Sequence, residues 1–281
     1  MIVSVIPTYF CTLGCDYCYL GDLREDKTKI SPLSLTLALN DISKEANIDL
    51  IDLYGGSLSN YDIQELISIK HYCEWTRAKQ CNVTLELNVS REVIDLFSDW
   101  GIGFSWNSER ADFTAETLKN FRDLPKNMKS VGVVMLPSVI RKDTRGLLAE
   151  LRSYDICEVA FLRYYPGKFA NKRYSVTDKE YTDKLIDIID TWKGGNYTFD
   201  LINWKEIRSC LVDGKYTPYM RENVYVNPYN QYGYVKYDPY ESFVWVNTFT
   251  EWKEACRREE KEYMNKCNMC KYFGRCYAEH L

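Results

Sequence analysis

The stretch FCTLGCDYCYLG, residues 10–21, places three cysteines in one short loop. The loop follows an apolar run, residues 2–7, that predicts a β-strand. Cys11, Cys15 and Cys18 cannot all pair with one another as disulfides, because three thiols are an odd number. Their C-x3-C-x2-C spacing therefore indicates a soft metal centre that three protein ligands hold.

The composition is that of an ordinary globular protein of 281 residues, with 46% hydrophobic and 27% charged residues. A net charge of -4 argues against general binding to nucleic acid or to anionic membranes. No apolar run approaches the roughly 18 residues that cross a bilayer, and the N-terminus does not resemble a signal peptide. We therefore expect a cytoplasmic protein, in which thiols more often bind metals than form disulfides.

The cysteines are unevenly distributed along the chain. Six of the eleven form two clusters, Cys11/Cys15/Cys18 and Cys267/Cys270/Cys276. The other five are scattered, and a small buried apolar residue is the ordinary interpretation for each: Cys73, Cys81, Cys157, Cys210 and Cys256. Chance rarely places three soft ligands so close together twice, so both clusters predict metal sites.

Strand-like and helix-like segments alternate between the two clusters. The predicted strands are residues 2–7, 48–54, 81–88, 102–106, 130–136 and 157–164. Six β-then-α units predict an α/β fold with a mostly parallel sheet, closed as a partial (β/α)6 barrel. Ligand sites in such sheets lie at the carboxyl ends of the strands, which is where the first cysteine loop falls.

The pattern changes near Gly194-Gly195, which predicts two domains, residues 1–195 and 196–281. In the second, residues 224–227 and 232–237 predict a hairpin around 228–231. A helix capped by Thr248 and Glu251 then leads into the second cysteine cluster. We expect a small C-terminal domain of one β-hairpin and one helix that carries the second metal site.

The first cysteine loop resembles the signature of the radical S-adenosylmethionine (radical SAM) enzymes. The resemblance implies that Cys11, Cys15 and Cys18 bind a 4Fe–4S cluster whose fourth iron is open to the amino and carboxylate groups of S-adenosylmethionine (SAM). It implies that one electron from the cluster cleaves the sulfonium, and that the 5′-deoxyadenosyl radical then takes hydrogen from a substrate. Zinc is the structural alternative, although no histidine stands nearby to complete such a site.

Other positions match the family one at a time. The Gly-Gly-Glu motif that meets the SAM amine is Gly55-Gly56-Ser57 here, so the amine contact is weaker or is supplied elsewhere. The remaining cofactor contacts that the resemblance implies are Tyr17 and Tyr19 in the loop, and Asn88, Ser105 and Asn107 at later strand ends.

The C-terminal cluster resembles the SPASM or twitch extension of peptide-modifying radical SAM enzymes, trimmed to one auxiliary 4Fe–4S cluster. Its C-x2-C-x5-C core supplies Cys267, Cys270 and Cys276, and Cys210 matches an upstream family cysteine. The fourth ligand stays open between Cys210, Cys256, His280 and an exchangeable ligand. A zinc site of Cys267, Cys270, Cys276 and His280 is the alternative.

The resemblance implies an enzyme that modifies a ribosomally made peptide. A small-molecule dehydrogenase or mutase is a second possibility, and a non-catalytic iron–sulfur electron carrier or redox sensor is a third. Expected partners are a peptide or small-molecule substrate, a flavodoxin- or ferredoxin-like electron donor and a separate leader-peptide-binding protein. We expect neither nucleic acid nor membrane as a partner. No residue is identified from the sequence as the catalytic acid, base or radical donor.

Overall fold

One sheet of ten strands organises the structure, a computed structural model that describes residues 1–164, 172–202, 204–205, 223–234 and 244–267. The strands are β1 Ile2–Val5, β2 Leu50–Leu53, β3 Gln80–Leu85, β4 Gly101–Trp106, β5 Ser130–Met135, β6 Glu158–Arg163, β7 Asp200–Leu201, β8 Asn223–Val226, β9 Tyr232–Tyr234 and β10 Val244–Val246. The helices are α1 Pro32–Ser43, α2 Ile63–Trp75, α3 Arg91–Leu96, α4 Ala115–Arg122, α5 Pro137–Arg141, α6 Thr144–Ser153, α7 Asp178–Gly194 and α8 Phe249–Cys267.

The strand order is β10-β9-β8-β1-β2-β3-β4-β5-β6-β7, and β1 to β7 are all parallel. All six predicted strands are confirmed, and so is the α/β partial-barrel fold class. Strand β7 was not predicted, because two residues are too few to display an alternating pattern.

The predicted hairpin is also confirmed, since β8 and β9 pair antiparallel with Tyr225 opposite Gly233. Strand β8 in addition pairs in parallel with β1, in a register that places Ile2 opposite Asn223. The Ser4 hydroxyl donates to the Asn223 side-chain oxygen across this pair, at 2.9 Å. The hairpin therefore extends the barrel sheet at the edge of β1, while the domain boundary near residue 195 stays a prediction.

Local sequence signals determine where the helices begin. Ser31 caps α1 by accepting from the Ser34 amide at 3.0 Å, and Pro32 occupies the first turn. Capping boxes begin α2 at Asp62 and α7 at Thr177. The predicted cap of α8 is present, because the Glu251 amide donates to the Thr248 hydroxyl at 3.1 Å. Among the described residues, none of these helices combines the length and apolar content needed to cross a bilayer.

The two faces of the sheet differ in chemistry. Residues such as Ile102, Phe104 and Trp106 of β4 are buried on the helix-covered face, where most of the hydrophobic core lies. Side chains alternate along a strand, so the intervening positions lie on the opposite, inner face. These positions include several polar residues: Ser4, Asp52, Asn82, Thr84 and Ser105. A polar inner face above a close-packed outer core suits the binding of a polar ligand inside the partial barrel.

Candidate functional site

The cysteine loop leaves the carboxyl end of β1 and is held by its own backbone. The Cys11 amide donates to the Arg24 carbonyl at 3.0 Å, and the Cys18 amide donates to the Cys15 carbonyl at 3.1 Å. All three loop thiols are free and partly exposed. The loop therefore presents its cysteines at the edge of the sheet where ligand sites of parallel α/β folds lie.

The Gly55-Gly56-Ser57 turn packs directly on this loop. The Gly56 amide donates to the Thr8 carbonyl at 2.9 Å, and the Ser57 amide donates to the Phe10 carbonyl at 2.8 Å. A Cβ on residue 56 would lie 2.4 Å from the Phe10 oxygen. Gly55 adopts a φ of +138°, which a residue with a side chain rarely takes up. Both glycines are thus required by the close approach of the two loops.

Burial and neighbouring groups shift the pKa of two of the three loop thiols. Burial raises the pKa of the Cys11 and Cys18 thiols, and the neighbouring cysteines raise it further. Arg24 and Arg110 act in the opposite direction on Cys18. Thiolates are the ligands of iron–sulfur clusters, so the donor set fits a 4Fe–4S cluster, and its binding releases protons.

Within the described residues, no three His, Cys, Asp or Glu side chains are grouped so that one metal ion could be held. That observation concerns a single ion. Each thiolate of a 4Fe–4S cluster binds a different iron, so the three thiols need not converge on one point.

An aromatic cluster anchors the loop to the end of β6. Tyr17 is 7% exposed and makes edge-on contacts with Tyr164 and Tyr174, with ring centroids 6.4 and 5.9 Å apart. Arg173 adds an ion pair to Asp16 at 2.7 Å. The aromatic at position 17, expected as a cofactor contact, therefore also has a structural task in the protein itself.

Arg110 and Asp112, in the loop after β4, form a site feature that sequence analysis missed. The guanidinium binds the carboxylate through two hydrogen bonds, of 2.8 and 3.0 Å, and the Asp112 side chain is fully buried. Asp112 also accepts from the Leu87 amide at 2.9 Å, which fixes the end of β3. A loop has no hydrophobic periodicity that would draw attention to its residues. In the sequence, only the placement of opposite charges two residues apart could have indicated this pair.

Glu86 is a second residue that sequence analysis missed. It follows the last residue of β3, is 4% exposed, and receives a long hydrogen bond of 3.4 Å from the Ser59 hydroxyl. Its alternation with Asn82 and Thr84 could have marked it, because an acidic residue in phase with the inner face of a strand requires an explanation.

Asp52 is the third missed residue, in the middle of β2. It lies opposite Ser4 on β1 and Asn82 on β3. Burial raises the pKa of its carboxyl group from 3.8 to about 6. Close to it, Tyr54 and Tyr225 make an edge-on contact with centroids 6.3 Å apart. The lower part of the inner face thus holds a carboxyl group whose pKa burial raises to about 6.

The other predicted cofactor contacts lie in different surroundings. Ser105 is half-buried on the inner face of β4, whereas Asn88 is exposed. Asn107 is 2% exposed and its side chain is engaged by the protein, donating to the Val134 carbonyl at 3.2 Å and accepting from the Glu109 amide at 2.8 Å. Tyr19 packs beside Ile6 in a second apolar cluster under the cysteine loop. Their roles toward a cofactor stay predictions.

The auxiliary site falls largely outside the described residues. Cys210, Cys270, Cys276 and His280 all belong to that part of the chain, and Cys267 is the final residue of α8. Cys256 is buried in the hydrophobic core at 8% exposure, which agrees with the ordinary interpretation of a packed thiol. The auxiliary cluster therefore stays a prediction.

The fold is supported by similarity to solved structures and not by similarity in sequence. No protein-family model matches the chain, and no curated protein is similar to it in sequence. Native anSMEcpe with bound AdoMet and the Cp18Cys peptide matches with a TM-score of 0.71 and 15% identity, over 98% of this chain and 87% of that one.

Two further solved structures have the same architecture. Streptococcus suis SuiB bound to S-adenosylmethionine matches with a TM-score of 0.62 and 14% identity, over 98% of this chain and 71% of that one. HydG, a maturase of the FeFe hydrogenase, matches with a TM-score of 0.52 and 12% identity, over 74% and 54% of the two chains. These neighbours are radical SAM enzymes, and the chain shares their fold.

Proposed function

We propose that this protein is a radical SAM enzyme that modifies a peptide. The observation that carries the proposal is the C-x3-C-x2-C loop at the carboxyl end of β1, clamped by the Gly55-Gly56 turn, on a fold shared with a structure that contains AdoMet and a peptide. The three free thiols, rather than four, are what a cluster with one open iron requires.

Each part of the site has a task in this proposal. Cys11, Cys15 and Cys18 hold the cluster, which when bound supplies the electron that cleaves SAM. The aromatic cluster around Tyr17 keeps the loop in place. The polar inner face between Ser4 and Ser105 gives SAM and substrate a hydrogen-bonding surface.

SAM cleavage tests the enzyme class directly. The protein is reconstituted anaerobically with iron and sulfide and then incubated with SAM and dithionite. We expect 5′-deoxyadenosine to form, and Cys15→Ala to abolish it. Cys157→Ala is the matched control, because this half-buried cysteine lies outside the loop and its loss should leave cleavage intact. A fully loaded cluster that never cleaves SAM would instead favour an electron carrier.

The substrate class needs a second measurement. Short peptides encoded beside the gene are co-expressed with the enzyme and analysed by mass spectrometry, with Cys15→Ala as the inactive reference. A mass change that depends on Cys15 supports peptide modification. If no such peptide changes mass while SAM is cleaved, the alternative of a small-molecule substrate is favoured.

The auxiliary cluster is tested by composition. Cys270→Ala should lower the iron and sulfide content to about half and spare basal cleavage of SAM, since it removes only the second cluster. Turnover of the true substrate should fall in the same variant. If the wild type instead contains zinc that Cys270→Ala loses, with no change in iron content, the zinc alternative is favoured.

A further inference from the structure

Two buried carboxylates near the cysteine loop differ in whether a cation pairs with them. Asp112 is neutralised by two hydrogen bonds from Arg110. Glu86 is almost as deeply buried, at 4% exposed, yet none of the ion pairs within the described residues includes it. A buried carboxylate that has neither a cation nor several hydrogen-bond donors is costly, so Glu86 is suited to a ligand that supplies donors.

Glu86 lies where two parts of the site meet. Asn60, in the turn after β2, donates through its side-chain amide to the Phe10 carbonyl at 3.1 Å, beside Cys11. The single described hydrogen bond of the Glu86 side chain comes from Ser59, in the turn that begins at Ser57. Ser57 in turn binds the Phe10 carbonyl, next to Cys11, through its amide.

We propose that Glu86 accepts a hydrogen bond from the amino group of bound SAM, supplying from the end of β3 the carboxylate that Ser57 cannot supply from the end of β2. The inference rests on the proposed function, since it assumes that SAM binds at the cysteine loop. The amino group of SAM is a hydrogen-bond donor, the permanent positive charge of SAM lies on the nearby sulfonium, and a buried carboxylate beside the thiols complements both.

Asp52 is a second acidic residue in phase with the inner face, and its position argues against it for this task. It pairs in register with Asn82, whereas Glu86 is four residues nearer the carboxyl end of β3. Four strand residues span about 13 Å, so Asp52 lies well below the level of the cysteine loop. Asp52→Asn is therefore the matched control for Glu86→Gln.

Ligand binding to the cluster-loaded protein tests the assignment. The dissociation constants of SAM and of 5′-methylthioadenosine, which lacks the amino acid part, are measured by equilibrium dialysis for the wild type, Glu86→Gln and Asp52→Asn. Loss of a charge-assisted contact should weaken SAM binding by roughly tenfold to a hundredfold in Glu86→Gln. Binding of 5′-methylthioadenosine should be unchanged, and Asp52→Asn should bind both ligands as the wild type does.

Rescue and stability separate a binding role from a structural one. The double variant Ser57→Glu/Glu86→Gln returns the carboxylate to the neighbouring turn, and it should recover most of the lost affinity for SAM. In SAM-free protein, Glu86→Gln should keep or raise the thermal midpoint, because it removes an unpaired buried charge. A residue needed only for folding would lower the midpoint together with the affinity.

Two results would overturn these ideas in distinguishable ways. If the loaded wild-type protein binds no SAM and makes no 5′-deoxyadenosine, the proposed function fails. If the wild type binds SAM and Glu86→Gln binds it equally well, or loses SAM and 5′-methylthioadenosine alike, only the assignment of Glu86 fails.

Discussion

At the scale of single residues, the absence of a side chain at Gly56 shapes the site. Gly56 lets the turn after β2 approach the cysteine loop until its amide reaches the Thr8 carbonyl, and there is no room for a methyl group between them. The position of the thiols therefore depends on a residue that has no side chain.

Substitution of that glycine should displace the loop. In Gly56→Ala the new Cβ would meet the Thr8 and Phe10 carbonyl oxygens at 2.8 and 2.4 Å. We expect a loss of about 1–3 kcal/mol in the free energy of unfolding and poorer iron loading, measured by urea denaturation and iron analysis. Gly194→Ala is the control, because a Cβ there meets nothing within 4 Å. Equal effects at both glycines would contradict the close-approach argument.

A second residue-scale prediction concerns pH. The folded protein holds the Asp52 proton with a pKa of about 6, against 3.8 for the ordinary group. The folded state therefore binds more protons than the unfolded one between these values, and wild-type stability should fall as pH rises from about 4 to about 6. Asp52→Asn lacks this titration, so it should exceed the wild type by up to about 3 kcal/mol above pH 6.

Urea denaturation of both proteins across that pH range measures the difference. The gap between the variant and the wild type should be smallest at the acid end and constant above neutrality. A gap that does not change with pH would show that the carboxyl group is not held protonated by burial.

At the scale of elements, the cysteine loop is a short segment stabilised by its neighbours. The ring of Tyr17 packs against Tyr164 at the end of β6 and against Tyr174, so two distant parts of the chain support it. Its apolar contacts extend to Leu136 after β5, which is fully buried. The loop is thus ordered by packing as well as by its backbone hydrogen bonds.

Removal of that ring should be costly. Tyr17→Ala leaves a cavity at a buried aromatic site, and we expect a loss of about 3–5 kcal/mol in the free energy of unfolding. Trp75→Ala is the matched surface control, because this larger aromatic is 59% exposed at the end of α2. Thermal unfolding followed by circular dichroism compares the two, and similar losses would mean that the aromatic cluster does not anchor the loop.

The elements also mark the limit of what could be predicted from sequence. Strands β1 to β6 and the caps at Ser31, Asp62 and Thr177 follow from local patterns, so they were predictable. The cysteine loop was predictable because its spacing is itself the signal. Glu86 and Arg110 were missed, because their importance comes from burial and from partners that lie elsewhere in the chain. The pairing of β8 with β1 was missed for the same reason.

At the scale of the whole molecule, the hairpin and the barrel share one sheet. Strand β8 covers the edge of β1 that would otherwise present unpaired backbone groups. Val224 and Val226 are fully buried in the same core as the rest of the sheet. The two predicted domains are therefore joined at the pairing of β1 with β8.

Truncation tests that dependence. A chain ending at residue 195 should aggregate or lose its cooperative thermal transition, because the edge of β1 and the apolar surface beneath β8 are uncovered. A chain ending at residue 267 retains every described element and should still unfold cooperatively. Size-exclusion chromatography and circular dichroism compare them. A monomeric, cooperative 1–195 fragment would establish the boundary near residue 195 as that of an independent folding unit.

The parallel pairing of β1 with β8 has a consequence for synthesis in the cell. Ser4 and Asn223 lie 219 residues apart along the chain, so the first strand waits for a late segment before both of its edges are paired. Contacts between such distant segments form slowly. The edge of β1 that β8 covers therefore stays open until late in synthesis, so the first strand of the sheet is among the last to be completed.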